Sequence, residues 1–119
     1  LHGHAKFSVI LSLLCDETDC KVKDCWKDCS RVRSLADTPV VAGEVGAGGI
    51  AKNVPPVIAA SGTAVVYGHG VFAIGREDFV TPLRALIRLE NHCRQEYLNR
   101  IKARVPESAL FFLNDPSPA

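Results

Sequence analysis

Two short apolar segments flank a single histidine near the middle of the chain. Ala64–Gly68 and Val71–Gly75 are rich in Val, Tyr, Phe and Ile, which favour the pleated, buried surface of a sheet. Gly68 and Gly70 stand on either side of His69 and permit a bulge or a tight turn there. The pattern predicts two strands with His69 at their junction, where a buried imidazole needs a hydrogen bond or a metal.

Apolar residues at helical spacing predict a buried helix near the start of the chain. Positions i, i+3, i+4 and i+7 of one face are occupied by Phe7, Ile10, Leu11 and Leu14. We therefore expect a helix over Ala5–Cys15. A strand over Phe7–Leu14 is the alternative, because short apolar runs fit both periods.

The longest predicted helix follows the second strand and runs from Arg76 to about Ala103. Its apolar positions repeat at helical spacing for several turns, and basic residues at its end suit the helix dipole. Pro82 is expected in the first turn, or at the first helical position after a Thr81 cap. On this helix we expect Glu90 to pair with an arginine, His92 to face solvent and Cys93 to be a small buried hydrophobe.

The middle of the chain alternates between apolar and glycine-rich segments. Pro39–Gly43 reads as a strand with proline at its first position, preceded by a connector over Ser34–Thr38. A glycine-rich loop, Glu44–Gly49, follows. Ile50–Ala60 is typical of a helix, but prolines break a helix interior and are tolerated in a first turn, so we expect the helix over Pro55–Ala60. Ser61-Gly62 is expected to stop it.

These elements predict an α/β fold, a small sheet flanked by helices. We expect one domain over residues 1–104, with a cysteine-rich excursion at residues 15–38. Residues 105–119 read as a tail, because their prolines prevent regular structure. Apolar sheet edges and faces that this chain leaves uncovered favour oligomerisation or a missing companion segment.

Composition excludes several classes of partner. The chain has 119 residues, 47% hydrophobic and 23% charged, with a net charge of +1 and interleaved signs. No basic surface for nucleic acid and no patch for an anionic membrane is expected. Its longest apolar run is broken by prolines and glycines, so no transmembrane helix is expected, and we expect no signal peptide because the apolar segment Phe7–Cys15 is short. We expect a cytoplasmic protein that binds neither nucleic acid nor membrane.

Four cysteines cluster in the excursion, with spacings x4, x4 and x3. A structural zinc or iron–sulfur site, or a disulfide, is one interpretation, although these spacings are looser than those of common motifs. Reduced cytoplasmic thiols are the alternative, and an odd total of five cysteines argues against a secreted disulfide framework. The cluster consists of Cys15, Cys20, Cys25 and Cys29.

Three histidines form a second candidate metal site. In an extended segment His2 and His4 project to the same side, with Cα atoms roughly 6.6 Å apart. Together with His69 they would supply three imidazoles and leave a fourth position open, as in catalytic zinc sites. The alternative is a frayed terminus and a hydrogen-bonded histidine at a strand end.

The same motifs resemble the class II aldolase/adducin family over Leu1 to about Arg100. The resemblance rests on His2-Gly3-His4 before an apolar helix and on Val65–Gly75, with its Tyr-Gly-His-Gly-Val-Phe core. Gly43-Glu44-Val45-Gly46 and the Leu89-Glu90 pair on the long helix complete it. In that family a His-x-His pair and a later His in an apolar-x-His-Gly context bind zinc.

The resemblance implies a three-layer α/β/α sandwich with a mixed or antiparallel sheet, usually assembled as a homotetramer. It implies zinc held by His2, His4 and His69. The metal would act as a Lewis acid on a sugar or sugar phosphate, in retro-aldol cleavage, 4-epimerisation or dehydration. Adducin implies a non-catalytic assembly domain as an alternative, and the cysteine cluster leaves a structural or redox module as another.

The chain departs from the family at its beginning. Family enzymes carry a catalytic glutamate and phosphate-binding loops upstream of the His-x-His pair, whereas this sequence begins with Leu1 and contains no methionine. We therefore expect the C-terminal half of the domain, able to bind metal but inactive alone. Glu44 and Tyr67 are the candidates for a stand-in base and an oxyanion donor, with a solvated loop carboxylate and a packing residue as their alternatives.

Overall fold

The computed structural model describes residues 1–14, 33–43 and 49–106. Within these ranges the chain forms an α/β fold in which three helices pack on a five-stranded sheet. The strands are β1 (His2–Gly3), β2 (Arg33–Leu35), β3 (Thr38–Val41), β4 (Thr63–Val66) and β5 (Gly70–Ala73). The helices are α1 (Lys6–Ser12), α2 (Ile50–Ser61) and α3 (Val80–Lys102).

The sheet is mixed, one of the two arrangements expected, with the strand order β1-β5-β4-β3-β2. The neighbouring strands β3 and β4 are parallel and are joined through α2, whereas the other neighbouring strands are antiparallel. The two strands predicted around His69 are confirmed as β4 and β5, which form an antiparallel hairpin, with both strands ending about two residues earlier than expected. β1 therefore lies at the sheet edge, beside the strand that follows His69.

One face of the sheet carries the main core. Side chains alternate along a strand, so Val65 and Val71 project to the same side and meet α1 and α3. The cluster consists of Leu11, Val40, Val65, Val71, Leu89 and Cys93. Cys93 has no exposed surface, as predicted. Desolvation is the main cause that raises the pKa of its thiol to about 11.

The first helix is confirmed and the strand alternative for it is wrong. The helix is shorter than expected within the described residues, running over Lys6–Ser12. Its first turn receives no cap from its own N-cap residue, Ala5. The hydrogen bonds of that turn come from α3.

Glu90 supplies the cap of α1, and the prediction that it pairs with an arginine is wrong. Its Oε1 accepts from the Phe7 amide at 2.7 Å, and its Oε2 accepts from the Ser8 amide and the Ser8 hydroxyl at 3.0 Å each. Ser8 is fully buried. A carboxylate near a helix N-terminus is favourable because it satisfies amides that lack intrahelical partners.

The connector predicted over Ser34–Thr38 is wrong, because β2 and β3 form a hairpin there. Leu35 pairs with Thr38, which leaves Ala36 and Asp37 as a two-residue turn. Both turn residues have positive φ, 47° and 63°, as in the type I′ turns that suit strand twist. β3 consequently begins at Thr38, and Pro39 is its second residue rather than its first.

The predicted start of α2 is wrong by five residues. The helix begins at Ile50 and contains Pro55 and Pro56 in its interior. These prolines remove the amides that would bond the carbonyls of Ala51 and Lys52, and both of those residues are exposed to water. The predicted stop is confirmed, since Gly62 caps the helix with a φ of 78°.

α3 begins at Val80, four residues later than expected from the charge pattern. Asp78 marks the start, because its Oδ1 accepts from the Thr81 amide at 2.8 Å. That hydrogen bond lowers the pKa of the Asp78 carboxyl. Pro82 lies in the first turn, as predicted, and His92 is exposed. In the described residues no helix combines the length and apolarity that crossing a membrane requires.

We predict that Glu90→Ala lowers the free energy of unfolding by about 2–3 kcal/mol, because it leaves the buried donors of Phe7 and Ser8 without their carboxylate acceptor. Urea denaturation of the full chain measures this. The matched control is Glu96→Ala on the same helix, which removes a half-exposed i,i+4 pair with Arg100. The control should cost at most about 0.5 kcal/mol, and equal losses for the two variants would contradict the capping role.

We predict that Ala36→Gly raises the free energy of unfolding by about 0.5–1 kcal/mol, because glycine adopts positive φ without steric cost. Ala59→Gly, on exposed α2, should lower it by about 1 kcal/mol through helix propensity. Denaturation curves of the two variants test the sign difference. If Ala36→Gly lowered the free energy of unfolding, positive φ at residue 36 would not be a source of strain.

Candidate metal centre

Pairing of β1 with β5 places two histidines over the second strand of the hairpin. His2 lies opposite Phe72 and Gly3 opposite Val71, so continuing the register brings His4 opposite Gly70. Residues directly opposite in a sheet share a face. The His2 ring stacks on Phe72 with centroids 4.1 Å apart, and both imidazoles project on the face away from Val71.

A tight turn presents the third histidine. The Val66 carbonyl accepts from the His69 amide at 2.9 Å, and Gly68, at the third position of this turn, has a φ of 65°. Positive φ at that position is the requirement of a type II turn. The Gly68 amide donates to Oγ of buried Ser12 at 2.8 Å, so α1 holds the turn that carries His69.

Gly70 is small because the strand beside it approaches closely. A Cβ atom there would lie 2.5 Å from the Gly3 carbonyl oxygen, 3.1 Å from His2 Cε1 and 3.2 Å from His4 Cδ2. The first of these distances is shorter than any ordinary contact. The missing side chain therefore provides the space in which the two imidazoles lie.

The three rings converge on one point. Their centroids are 4.9 Å apart for His2 and His4, and 5.1 Å from each of these to His69. One ring nitrogen from each histidine lies within 4.8 Å of the other two. Zinc bonds of about 2.0–2.1 Å in tetrahedral geometry need nitrogens roughly 3.3 Å apart. Small rotations of the rings would bring these atoms to that spacing.

His2 has the hydrogen bond expected of a metal ligand. Its Nδ1 lies 3.0 Å from the Val71 carbonyl oxygen, which can only accept, so Nδ1 carries the proton. The neutral ring then has its lone pair on Nε2, and such carbonyl partners commonly orient metal-binding imidazoles. Desolvation, followed by the charges of His4 and His69, lowers the pKa of His2 despite the opposing Val71 bond. A lowered pKa favours the neutral form that binds metal.

Three imidazoles are a donor set that suits zinc and other first-row divalent ions. His2 and His4 are exposed and His69 is half-buried, so one side of the cluster is open to solvent. An ion held here would retain room for water or a substrate oxygen. The residues present therefore fit a three-histidine metal site.

The other predicted site residues are placed differently. Tyr67 lies in the turn before His69, half-buried and packed against the main core. Glu44 lies outside the described residues, as do all four clustered cysteines, Cys15, Cys20, Cys25 and Cys29. His92, the fourth histidine of the chain, lies on α3 and is not part of the cluster.

Two supporting residues escaped sequence reasoning. The role of Ser12 depends on a contact with Gly68, 56 positions away, and no local pattern indicates it. The Val71 carbonyl bonds a ring 69 positions away, and any residue could supply that oxygen. The glycine at position 70 is visible in the sequence, where it indicates freedom of the backbone rather than the close approach of β1.

Comparison with protein-family models, curated protein sequences and solved structures finds no match to this chain. The resemblance to the class II aldolase/adducin family therefore stays a prediction from the residues. The geometry of the three histidines stands independently of it.

We predict that Gly70→Ala weakens zinc binding at least about tenfold, because the added methyl overlaps the Gly3 carbonyl and crowds both rings. Zinc titration by calorimetry measures this. Gly3→Ala is the matched control, because its Cβ would meet only the end of the Leu86 side chain, at 3.0 Å. Equal affinities of the two variants would show that the space at Gly70 does not matter for the site.

Proposed function

We propose that this chain binds one divalent metal ion, zinc, through His2, His4 and His69. The observation that carries the proposal is the convergence of one nitrogen from each ring within 4.8 Å. Two features support it further: the Val71 carbonyl fixes the tautomer of His2, and Gly70 leaves space for the rings.

We further propose that the site belongs to a domain of the class II aldolase/adducin type. The support is the order of the motifs and the mixed sheet that joins them. Ala64 and Val66 are fully buried on the face opposite the main core, and Val54 of α2 is buried as well. If α2 covers that face, the fold is the three-layer α/β/α sandwich that the resemblance implies.

The proposed chemistry is that of a zinc-dependent lyase or epimerase acting on a sugar or sugar phosphate. A zinc ion bound here would polarise carbonyl and hydroxyl oxygens of such a substrate. The chain itself would orient the ion: β1 and the turn fix the three imidazoles, and the exposed side of His2 and His4 admits the substrate. In the described residues Glu90 caps α1, so it does not serve as the base.

The second candidate is a non-catalytic assembly domain of the same fold. One observation favours it: a row of exposed apolar side chains at the start of α3, formed by the N-cap residue Phe79 and by Leu83 and Ile87 of the helix, at i, i+4 and i+8. Such a row is typical of a protein contact. Incubation of the zinc-loaded chain with sugar phosphates tests the structural role in one direction: cleavage or epimerisation by this chain would exclude a purely structural role.

We predict one equivalent of zinc per chain and a loss of affinity of at least about 100-fold in His69→Ala, since three ligands become two. Calorimetry, and the visible spectrum of a cobalt-substituted sample, measure this. His92→Ala is the matched control, because it removes an exposed histidine outside the cluster. Its affinity should equal that of the unaltered chain.

A cysteine-based metal module predicts the opposite outcome. Zinc would then remain in His69→Ala and disappear when Cys15, Cys20, Cys25 and Cys29 are all replaced by serine. Stoichiometric zinc in His69→Ala with cobalt bands of thiolate ligation would overturn the histidine site.

A further inference from the structure

A cavity lies at the opposite end of β4 from the histidine cluster. Its volume is about 360 Å³, within the range of small-molecule sites. It opens between the start of the parallel strands, the β2–β3 turn and the middle of α3. The side chains that line it are Ala36, Thr38, Thr63, Ala85, Arg88, Leu89 and His92.

Strand register brings two hydroxyl groups together at this cavity. Val40 pairs with Val65 in the parallel β3–β4 ladder, so Thr38 and Thr63, two residues earlier on each strand, also lie side by side. Residues two apart on a strand share a face. The threonines therefore continue the α3-facing surface of Val40 and Val65 and present their hydroxyls beyond the edge of the core.

α3 supplies the positive charge. Arg88 and His92 are one helical turn apart and line the same cavity, so they project from one face of the helix. Among the residues that the structure describes, neither side chain has a hydrogen bond or an ion pair, and neither threonine hydroxyl has a partner. No carboxylate is among the described lining residues.

We propose that this cavity binds a phosphate group, as inorganic phosphate or as the phosphate of a small phosphomonoester. The Arg88 guanidinium presents a planar fork that matches two phosphate oxygens. The His92 ring N–H and the two threonine hydroxyls donate to the remaining oxygens. Since the cavity is larger than a phosphate ion, it also accommodates the organic part of a small phosphorylated molecule. The site is separate from the histidine cluster and does not depend on metal.

The test is a titration of ¹⁵N-labelled full chain with inorganic phosphate, at an ionic strength held constant with sodium chloride. We expect saturable shifts of amide signals at Thr38, Thr63, Ala85 and His92. Arg88→Gln should weaken the apparent affinity at least about tenfold, because it removes a charge-assisted bidentate contact. The matched control Arg94→Gln removes the same charge from α3 outside the cavity and should bind as the unaltered chain does.

Two further arms make the outcome specific. Glycerol phosphate should shift the same amides as inorganic phosphate, whereas acetate at equal concentration should not. Thr38→Val with Thr63→Val should weaken binding while the remaining spectrum shows an intact fold. His69→Ala should bind phosphate normally, which separates this site from the metal proposal. Equal affinities of Arg88→Gln and Arg94→Gln, shifts located elsewhere, or equal binding of acetate would overturn the assignment.

Discussion

The approach of β1 to β5 at Gly70 is the constraint on which the candidate metal centre depends. The two-residue strand β1 carries His2. His4, two residues later, lies opposite Gly70, which has no side chain. Backbone separation at this point sets how near the pair lies to His69. A methyl group at residue 70 would push the edge strand away, so main-chain packing brings the three imidazoles within reach of one another, and rotation of the rings sets the final spacing of their nitrogens.

Helix α1 connects this edge to the rest of the molecule through two buried serines. Ser12 accepts from the turn that carries His69, while Ser8 and the first helical turn bond Glu90 of α3. Both serines are fully buried and hydrogen-bonded, which makes a displacement of the helix costly because it would leave polar groups unpaired. A helix of seven residues, too short to be stable alone, is held in this way between the long helix and the metal-site turn.

Sequence reasoning succeeded where the determining interactions are local. The strands around His69 and the end of α2 at Gly62 follow from side-chain type and from glycine at positive φ. It failed where distant or unusual features decide. The Ala36-Asp37 turn lacks the Asn-Gly or Asp-Gly pair that signals a hairpin, interior prolines hid the start of α2, and the partner of Glu90 lies more than 80 residues away. Thr38, Thr63 and Arg88, which line the proposed phosphate site, meet only through strand register and helix docking, which no single segment encodes.

Burial of the Cys93 thiol makes its chemical modification depend on motion of the core. With a pKa near 11 and no exposed surface, its sulfur is protonated at neutral pH and unreachable by oxidants or alkylating reagents. Reaction at this atom requires the core around it to open. The rate at which a thiol reagent modifies Cys93 therefore reports how often the core of the domain opens.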